Sequence, residues 1–333
     1  MTQLGLFDRL GQATSASGGP PAADLPRLDP DPDLVALAYR VPDHIRFGTT
    51  SWTFPGWSMV YRRRYTSKAA FVRECLAEYC QFPLFRSLEI DRSYYGPLTA
   101  SDFLGYAELL PPDFDCAMKV WQELTAMVFP NHPRYRERAG RPNEFFLDVD
   151  AFRERVVAPI DEAFSEHIGP LIIEVPPPPP GRIESGWFES RLARFLARAP
   201  GGYRYAVEVR DRRLLTDRYF SVLRDYGAAH VFNYWTRMPT LRTQLAADGS
   251  MPGPFVVVRL MIPPGRRYDE QKAEFEPFDR IVEPQPAMRA DVVRLCAVAK
   301  ERGFPIYVFA NNKAEGSSPL TVTALAEAIA SRS

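Results

Sequence analysis

The chain has 333 residues, 46% of them hydrophobic and 25% charged, which is ordinary globular composition with enough apolar material for a sizeable core. Acidic and basic residues balance at 41 each, so no global field draws it to nucleic acid or to an anionic membrane. No stretch of about 18 apolar residues occurs, the N-terminus lacks the charge-then-apolar layout of a signal peptide, and the four cysteines form neither a C-x-x-C pair nor a Cys/His cluster at zinc spacing. A cytoplasmic protein with no membrane partner, no metal and no cofactor is therefore expected. Cys75, Cys116 and Cys296 fall in predicted strands and helices and read as buried small hydrophobes.

Residues 1–43 stand apart. GQATSASGGPPAADLPRLDPDPD is rich in Gly, Pro, Ala, Ser and Asp and cannot bury enough apolar surface to offset its ordering. The segment is expected to be a flexible arm, tacked down locally at most by Leu34, Val35, Leu37 and Tyr39. The folded domain is expected over 44–333. From Ile45 strands and helices alternate. The strand patterns are 45–50, 86–90, 115–120, 171–175, 204–209, 229–233, 255–260 and 306–310. Helical patterns cover 67–80, 99–109, 150–165, 187–198, 216–226, 288–302 and 319–330. Thr99, Ser101 and Thr216 suit helix N-caps. Between 233 and 255 the helical signal is weak.

Eight strands alternating with seven or eight helices predict an α/β fold, a single (β/α)₈ barrel of the TIM type. A doubly wound open sheet is the rival, but no G-x-G-x-x-G follows the first strand. The VPPPPPG run at 175–181 reads as a stiff exit from the fourth strand. Two connections are long: 120–149 after the third strand and 261–287 after the seventh. Both are βα loops, so both belong to the face where barrel active sites are built.

The predicted strands share a layout. In LEID, AMKV, IIEV, VEVR and VVRL one face is aliphatic and the other ends in a charge near the C-terminal end. In a barrel that second face looks to the axis. Glu89, Lys119, Glu174, Glu208, Arg210 and Arg259 would then converge on one mouth, with Asp91, Asn233, Asn311 and Asn312 at the same level. Three Glu against three cations balance, as they must, because an uncompensated buried ion costs several kcal/mol. The cluster reads either as a binding or catalytic site or as a structural ion-pair plug. Crowded carboxylates can split into one protonated and one ionised group, which supports acid–base catalysis. Glu89, Glu174 and Glu208 could hold a divalent metal, but three cations are set among them and no His stands at a strand end. Trp52, Trp57, Tyr94, Tyr95, Trp121, Tyr234 and Trp235 lie just after strands, and as a set would favour a ligand with a flat or ring face. YRRRY (61–65) reads as a solvated basic turn.

The stretches GTTSWTFPGW (48–57), LEIDRSYY (88–95), AMKVWQELT (117–125), IIEVPP (172–177), YAVEVRD (205–211), VVVRL (256–260) and VFANNKAEG (308–316) carry a resemblance. The chain resembles the YecE-like domain of unknown function 72 family. That resemblance implies a TIM barrel loosely grouped with sugar isomerases, without a settled reaction. It also implies polar family positions at Trp52, Glu89, Tyr94, Lys119, Glu208, Arg210, Arg259, Asn311 and Asn312. The chain departs from the family in four places. Glu174 stands where Gln is usual, Asp211 and Met261 where His is usual, and Lys313 where an acid or His is common.

The expectation is an acid–base enzyme acting on a small polar or anionic molecule, sugar-like or sugar-phosphate-like. Glu89, Lys119 and Glu208 would be catalytic. Trp52, Asp91, Tyr94, Glu174, Arg210, Asn233, Arg259, Asn311 and Asn312 would bind the ligand. The alternative is a non-catalytic module holding a metabolite or a single-stranded nucleic acid end.

Overall fold

The computed structural model describes residues 29–63, 65–178 and 186–332. Eight parallel strands form one sheet: β1 (Ile45–Thr49), β2 (Ser87–Ile90), β3 (Asp115–Lys119), β4 (Ile168–Val175), β5 (Arg204–Val209), β6 (Ala229–Tyr234), β7 (Val256–Leu260) and β8 (Ile306–Ala310). Their order is β1-β8-β7-β6-β5-β4-β3-β2, a nearly closed barrel. At the remaining seam the Arg86 N–H donates to the Phe47 carbonyl at 2.9 Å. Gly48 sits on this seam. A Cβ there would lie 2.3 Å from the Ser87 carbonyl oxygen, so the two backbones approach only because residue 48 has no side chain.

All eight expected strands are present. β4 starts at Ile168, ahead of its apolar run, because backbone pairing continues through Gly169 and Pro170: the Cys116 N–H donates to the His167 carbonyl at 2.7 Å. Part of the segment expected to be an arm, 1–43, is helical. Asp31 caps a helix, α1 (Pro32–Arg40), that buries Leu37 and packs on the C-terminal helix. One amphipathic turn over Leu34 and Leu37 gives those residues an apolar partner, which the composition of 1–43 as a whole concealed. Residues 1–28 of that segment lie outside the described residues, as does the end of the VPPPPPG run from 179.

Helices cover the outside. They are α2 (Lys68–Tyr79), α3 (Ala100–Ala107), α4 (149–163, with a π turn over Arg153–Val157), α5 (Trp187–Arg198), α6 (Asp217–Asp225), α7 (Leu241–Leu245), α8 (Tyr268–Phe275), α9 (Pro286–Glu301) and α10 (Ser318–Ala330). Thr99 caps α3 through a reciprocal box with Asp102, and the Thr216 side chain accepts from the Tyr219 N–H at 3.1 Å. Ser101 lies inside α3 and caps nothing. In α5, Phe188, Leu192, Phe195 and Leu196 form the buried stripe that 3.6-residue periodicity puts on one face. The sixth crossover helix, α7, has only five residues. Its Gln244 is tied to β6, donating to the Asn233 carbonyl at 2.8 Å, so a tertiary contact fixes what local propensity leaves weak.

Two apolar layers result. The outer one joins strands to helices. The inner one fills the barrel with Ala117, Ile172, Ala206, Ala229, Val231, Phe255, Val257, Tyr307 and Phe309. Cys75, Cys116 and Cys296 are buried and unpaired. Among the described residues no helix is long and apolar enough to cross a membrane.

Candidate functional site

Side chains two apart on a strand share a face. Lys119 follows Ala117, Glu174 follows Ile172, Glu208 follows Ala206, Asn233 follows Val231 and Arg259 follows Val257. The inner apolar layer is therefore capped, one step toward the C-terminal ends, by a polar one. Cα pairing sets Glu174 beside Glu208 and Asn233 beside Arg259.

Arg259 is the hub. Its Nε and Nη2 donate to the two Glu89 oxygens at 2.7 and 2.6 Å. Its Nη1 donates to Glu174 at 3.0 Å and to Glu208. The guanidinium thus occupies the space among the three carboxylates that a metal would need. Among the described residues no group of three or more His, Cys, Asp and Glu could hold a metal ion. Arg210 pairs with Glu208 at 3.0 Å and Glu174 at 2.7 Å. Lys119 pairs with Glu174 at 2.8 Å and Asp91 at 3.0 Å, and its ammonium sits 3.5 Å from the centre of the Tyr94 ring. Asn233 donates to Glu208 at 3.2 Å.

The network has two tiers. Glu89, Glu208 and Arg259 are wholly sealed. Burial pushes the Glu89 carboxyl up to about 7, against the opposing pull of Arg259. Burial also raises Glu174 and Glu208, but for both the cations win. Arg210, Lys119 and Arg259 hold Glu174 well below the carboxylate range, and Arg210 and Arg259 lower Glu208.

Above the sealed tier lies a cavity of about 410 Å³. Lys119, Glu174 and Arg210 form part of its lining, with Asp91, Tyr94 and Asn311 beside them. Both long loops reach it, the first through His132, Arg134 and Tyr135 and the second through Met261 and Tyr268. The first loop is pinned: the Tyr135 hydroxyl donates to Gln122 at 2.9 Å and Arg134 donates to the Tyr95 carbonyl at 2.8 Å.

The expected site is therefore brought together but not all of it is open. Glu89, Glu208, Arg259 and Asn233 converge as expected yet do not line the cavity: Arg259 holds Glu89, and Arg259, Arg210 and Asn233 occupy the Glu208 oxygens. Trp52 packs edge-on against Tyr106 at 5.8 Å instead of facing a ligand. Asn312 accepts from the Trp57 indole N–H at 3.1 Å and from the Ser318 N–H at 2.8 Å, a purely internal role. Of the seven post-strand aromatics, Tyr94, Tyr95 and Trp235 line the cavity and the other four do not. Trp235 lies under the Arg210 guanidinium at 4.1 Å.

Sequence reasoning did not place Gln122, His132, Arg134, Tyr268 or Lys313 in the site. The first four lie in the two long βα connections, Gln122 and Tyr268 each at the start of a short helical segment, where no strand alternation marks direction. Lys313 follows β8, and its backbone N–H is held by the Asn311 side chain at 3.0 Å. Burial lowers its amine to about 8, with Asp91 opposing.

The profile described as "Protein of unknown function DUF72" matches residues 46–333. The chain belongs to the DUF72 family. A DUF72 family protein from Enterococcus faecalis V583 superposes with a TM-score of 0.58 at 15% identity, covering 86% of this chain and 95% of that one. A DUF72 family protein from Thermotoga maritima MSB8 superposes at 0.56 and 18% identity, covering 86% and 98%. At these identities the likeness is one of fold. No curated protein matches the chain. The positions at which the resemblance implies other residues separate in space. Glu174, Met261 and Lys313 line the cavity. Asp211 does not: it caps the turn after β5 and pairs with Arg213 at 2.6 Å.

Proposed function

We propose that the barrel mouth binds a small anionic molecule with a flat or ring-bearing face and performs acid–base chemistry on it. The observation that carries this reading is the charge balance of the cavity wall. Among the described residues, Lys119, Arg134, Arg210 and Lys313 face it against Asp91 and Glu174. Arg134 and Lys313 make no ion pair with a described residue, so two positive charges await an anion. Tyr94, Tyr95, Tyr135, Trp235 and Tyr268 supply ring faces around them. The volume suits a sugar phosphate or a compound of that size.

The acid–base role falls to Lys313, whose amine titrates close to neutral pH, with Asp91 beside it. Glu89 and Glu208 take a supporting part. They hold Arg259 and Arg210, which in turn fix Glu174. A thermal-shift screen of phosphorylated and carboxylated sugars and oxo acids, with neutral analogues as controls, tests the reading. Stabilisation confined to the anionic members is expected. Stabilisation by the neutral analogues alone, or by none, sinks it.

A further inference from the structure

We propose that Lys313 is a covalent site whose amine condenses with the carbonyl carbon of a small anionic aldehyde, ketone or oxo acid. This deepens the reading above and rests on the cavity being an anion site.

Four observations carry it. Lys313 is 4% exposed, yet it lines the cavity. Its ammonium makes no hydrogen bond or ion pair with a described residue and instead faces the Tyr268 ring, 4.6 Å from its centroid. The two lower cations differ, since Lys119 and Arg210 each meet two carboxylates. The chain also contains only five lysines against 36 arginines. Most of its positive charge is therefore Arg, and a guanidinium cannot serve as a nucleophilic amine. Two of the five lysines are in this cavity, while Lys68 and Lys300 are exposed and Lys272 is half-buried. Finally, burial beside other cations is how proteins free a lysine amine for attack. The groups around Lys313 are Asp91, Lys272 and Glu276, with Lys119, Arg134, Arg210, Glu174 and His132 across the cavity.

The step balances without a further reagent. The neutral amine attacks the carbonyl carbon, a C–N bond forms, and the oxygen takes a proton to give a carbinolamine. Water then leaves, carrying both hydrogens of the nitrogen, and C=O has become C=N. Asp91, which shares the cavity and holds Lys119 at 3.0 Å, is the carboxylate available to move the proton. Arg134, Lys119 and Arg210 would hold the anionic group. The protonated imine is an electron sink, so it eases proton removal from the adjacent carbon, which is the acid–base chemistry proposed above.

The test uses the full chain with glyoxylate as probe, trapping with cyanoborohydride at pH 7, and peptide mapping by mass spectrometry. An amine titrating at about 8 holds roughly two-hundred-fold more free base at pH 7 than an ordinary lysine. Labelling of Lys313 at least about tenfold faster than of Lys68 or Lys300 is expected. Neutral propanal should label it more slowly than glyoxylate does. Lys313→Arg keeps the charge and should lose this adduct alone; Lys313→Met, checked for fold by circular dichroism, should behave alike. A thermal shift with inorganic phosphate is run in parallel. A phosphate shift without preferential Lys313 labelling overturns the covalent site and leaves the anion site standing. Neither shift nor preference overturns both. Equal labelling by propanal and glyoxylate overturns the anionic substrate class.

Discussion

Arg259 on β7 grips Glu89 on β2 through two hydrogen bonds, at 2.7 and 2.6 Å, although the two strands are not neighbours in the sheet. The contact crosses the barrel axis. It ties opposite walls together and closes the bottom of the cavity, and the sealed tier is built on it. Because stability alone is a weak reason to keep buried ions, the tier is best understood as the foundation of the open one.

Arg259→Met should be strongly destabilising, because it strands Glu89 and weakens the hold on Glu208 and Glu174. A loss of about 3–5 kcal/mol in urea unfolding is expected. Combining it with Glu89→Gln and Glu208→Gln should restore part of the loss. A single variant as stable as the parent would show that the hub contributes nothing.

Glu89 makes stability depend on pH in a specific direction. Its folded carboxyl is raised to about 7 from an ordinary 4.5, so between those values the folded chain holds a proton the unfolded chain has released. That contribution is full below about 4.5 and fades as pH rises through 7. Glu174 and Glu208 act oppositely, since their lowered carboxyls favour the fold above the ordinary value and cease to do so in acid. Glu89→Gln should therefore flatten the stability profile between pH 5 and 7. Urea midpoints at the two pH values read the difference, and parallel profiles for parent and variant would contradict it.

Lys313 should trade stability for reactivity. Its amine is lowered to about 8 from 10.5, so the folded chain releases a proton that the unfolded chain keeps. Its contribution is lowest below pH 8 and recovers as pH approaches 10.5. Lys313→Met should thus stabilise the protein at pH 7, by roughly 1–3 kcal/mol, with the gain shrinking at pH 9.5. A destabilised variant at pH 7 would mean that the ammonium has a partner in solution.

Arg134 and Glu174 should move anion affinity in opposite directions. Arg134→Ala removes a cation that pairs with no carboxylate among the described residues, and about tenfold weaker phosphate binding is expected. Glu174→Gln leaves Lys119 and Arg210 less neutralised and should tighten binding by a similar factor. Calorimetric titration with phosphate measures both. Changes of the same sign would refute the electrostatic account.

Gly48→Ala should open the β1–β2 seam, because its Cβ meets the Ser87 carbonyl at 2.3 Å. A cost of about 1–3 kcal/mol in thermal or urea unfolding is expected. Unchanged stability would mean that the seam can widen at no cost.

The sequence by itself determined the barrel and the polar layer. Strands announce their two faces by alternation, so the period alone assigns Lys119, Glu174, Glu208 and Arg259 to the axis. The family was equally legible, from motifs spread between residues 48 and 316. Tertiary structure alone decided which of these groups meets solvent. Arg259 is long enough to reach three carboxylates and seal two of them, and length and reach are properties of packed side chains, not of a pattern. It also decided the cavity wall. Arg134, His132 and Tyr268 belong to the two long βα connections, which strand alternation does not reach, and Lys313 lies just past the last strand, where one turn of backbone swings it inward. That it has no ionic partner among the described residues depends on the side chains that other elements bring to the mouth, so no local reading of NNKAEG could have supplied it.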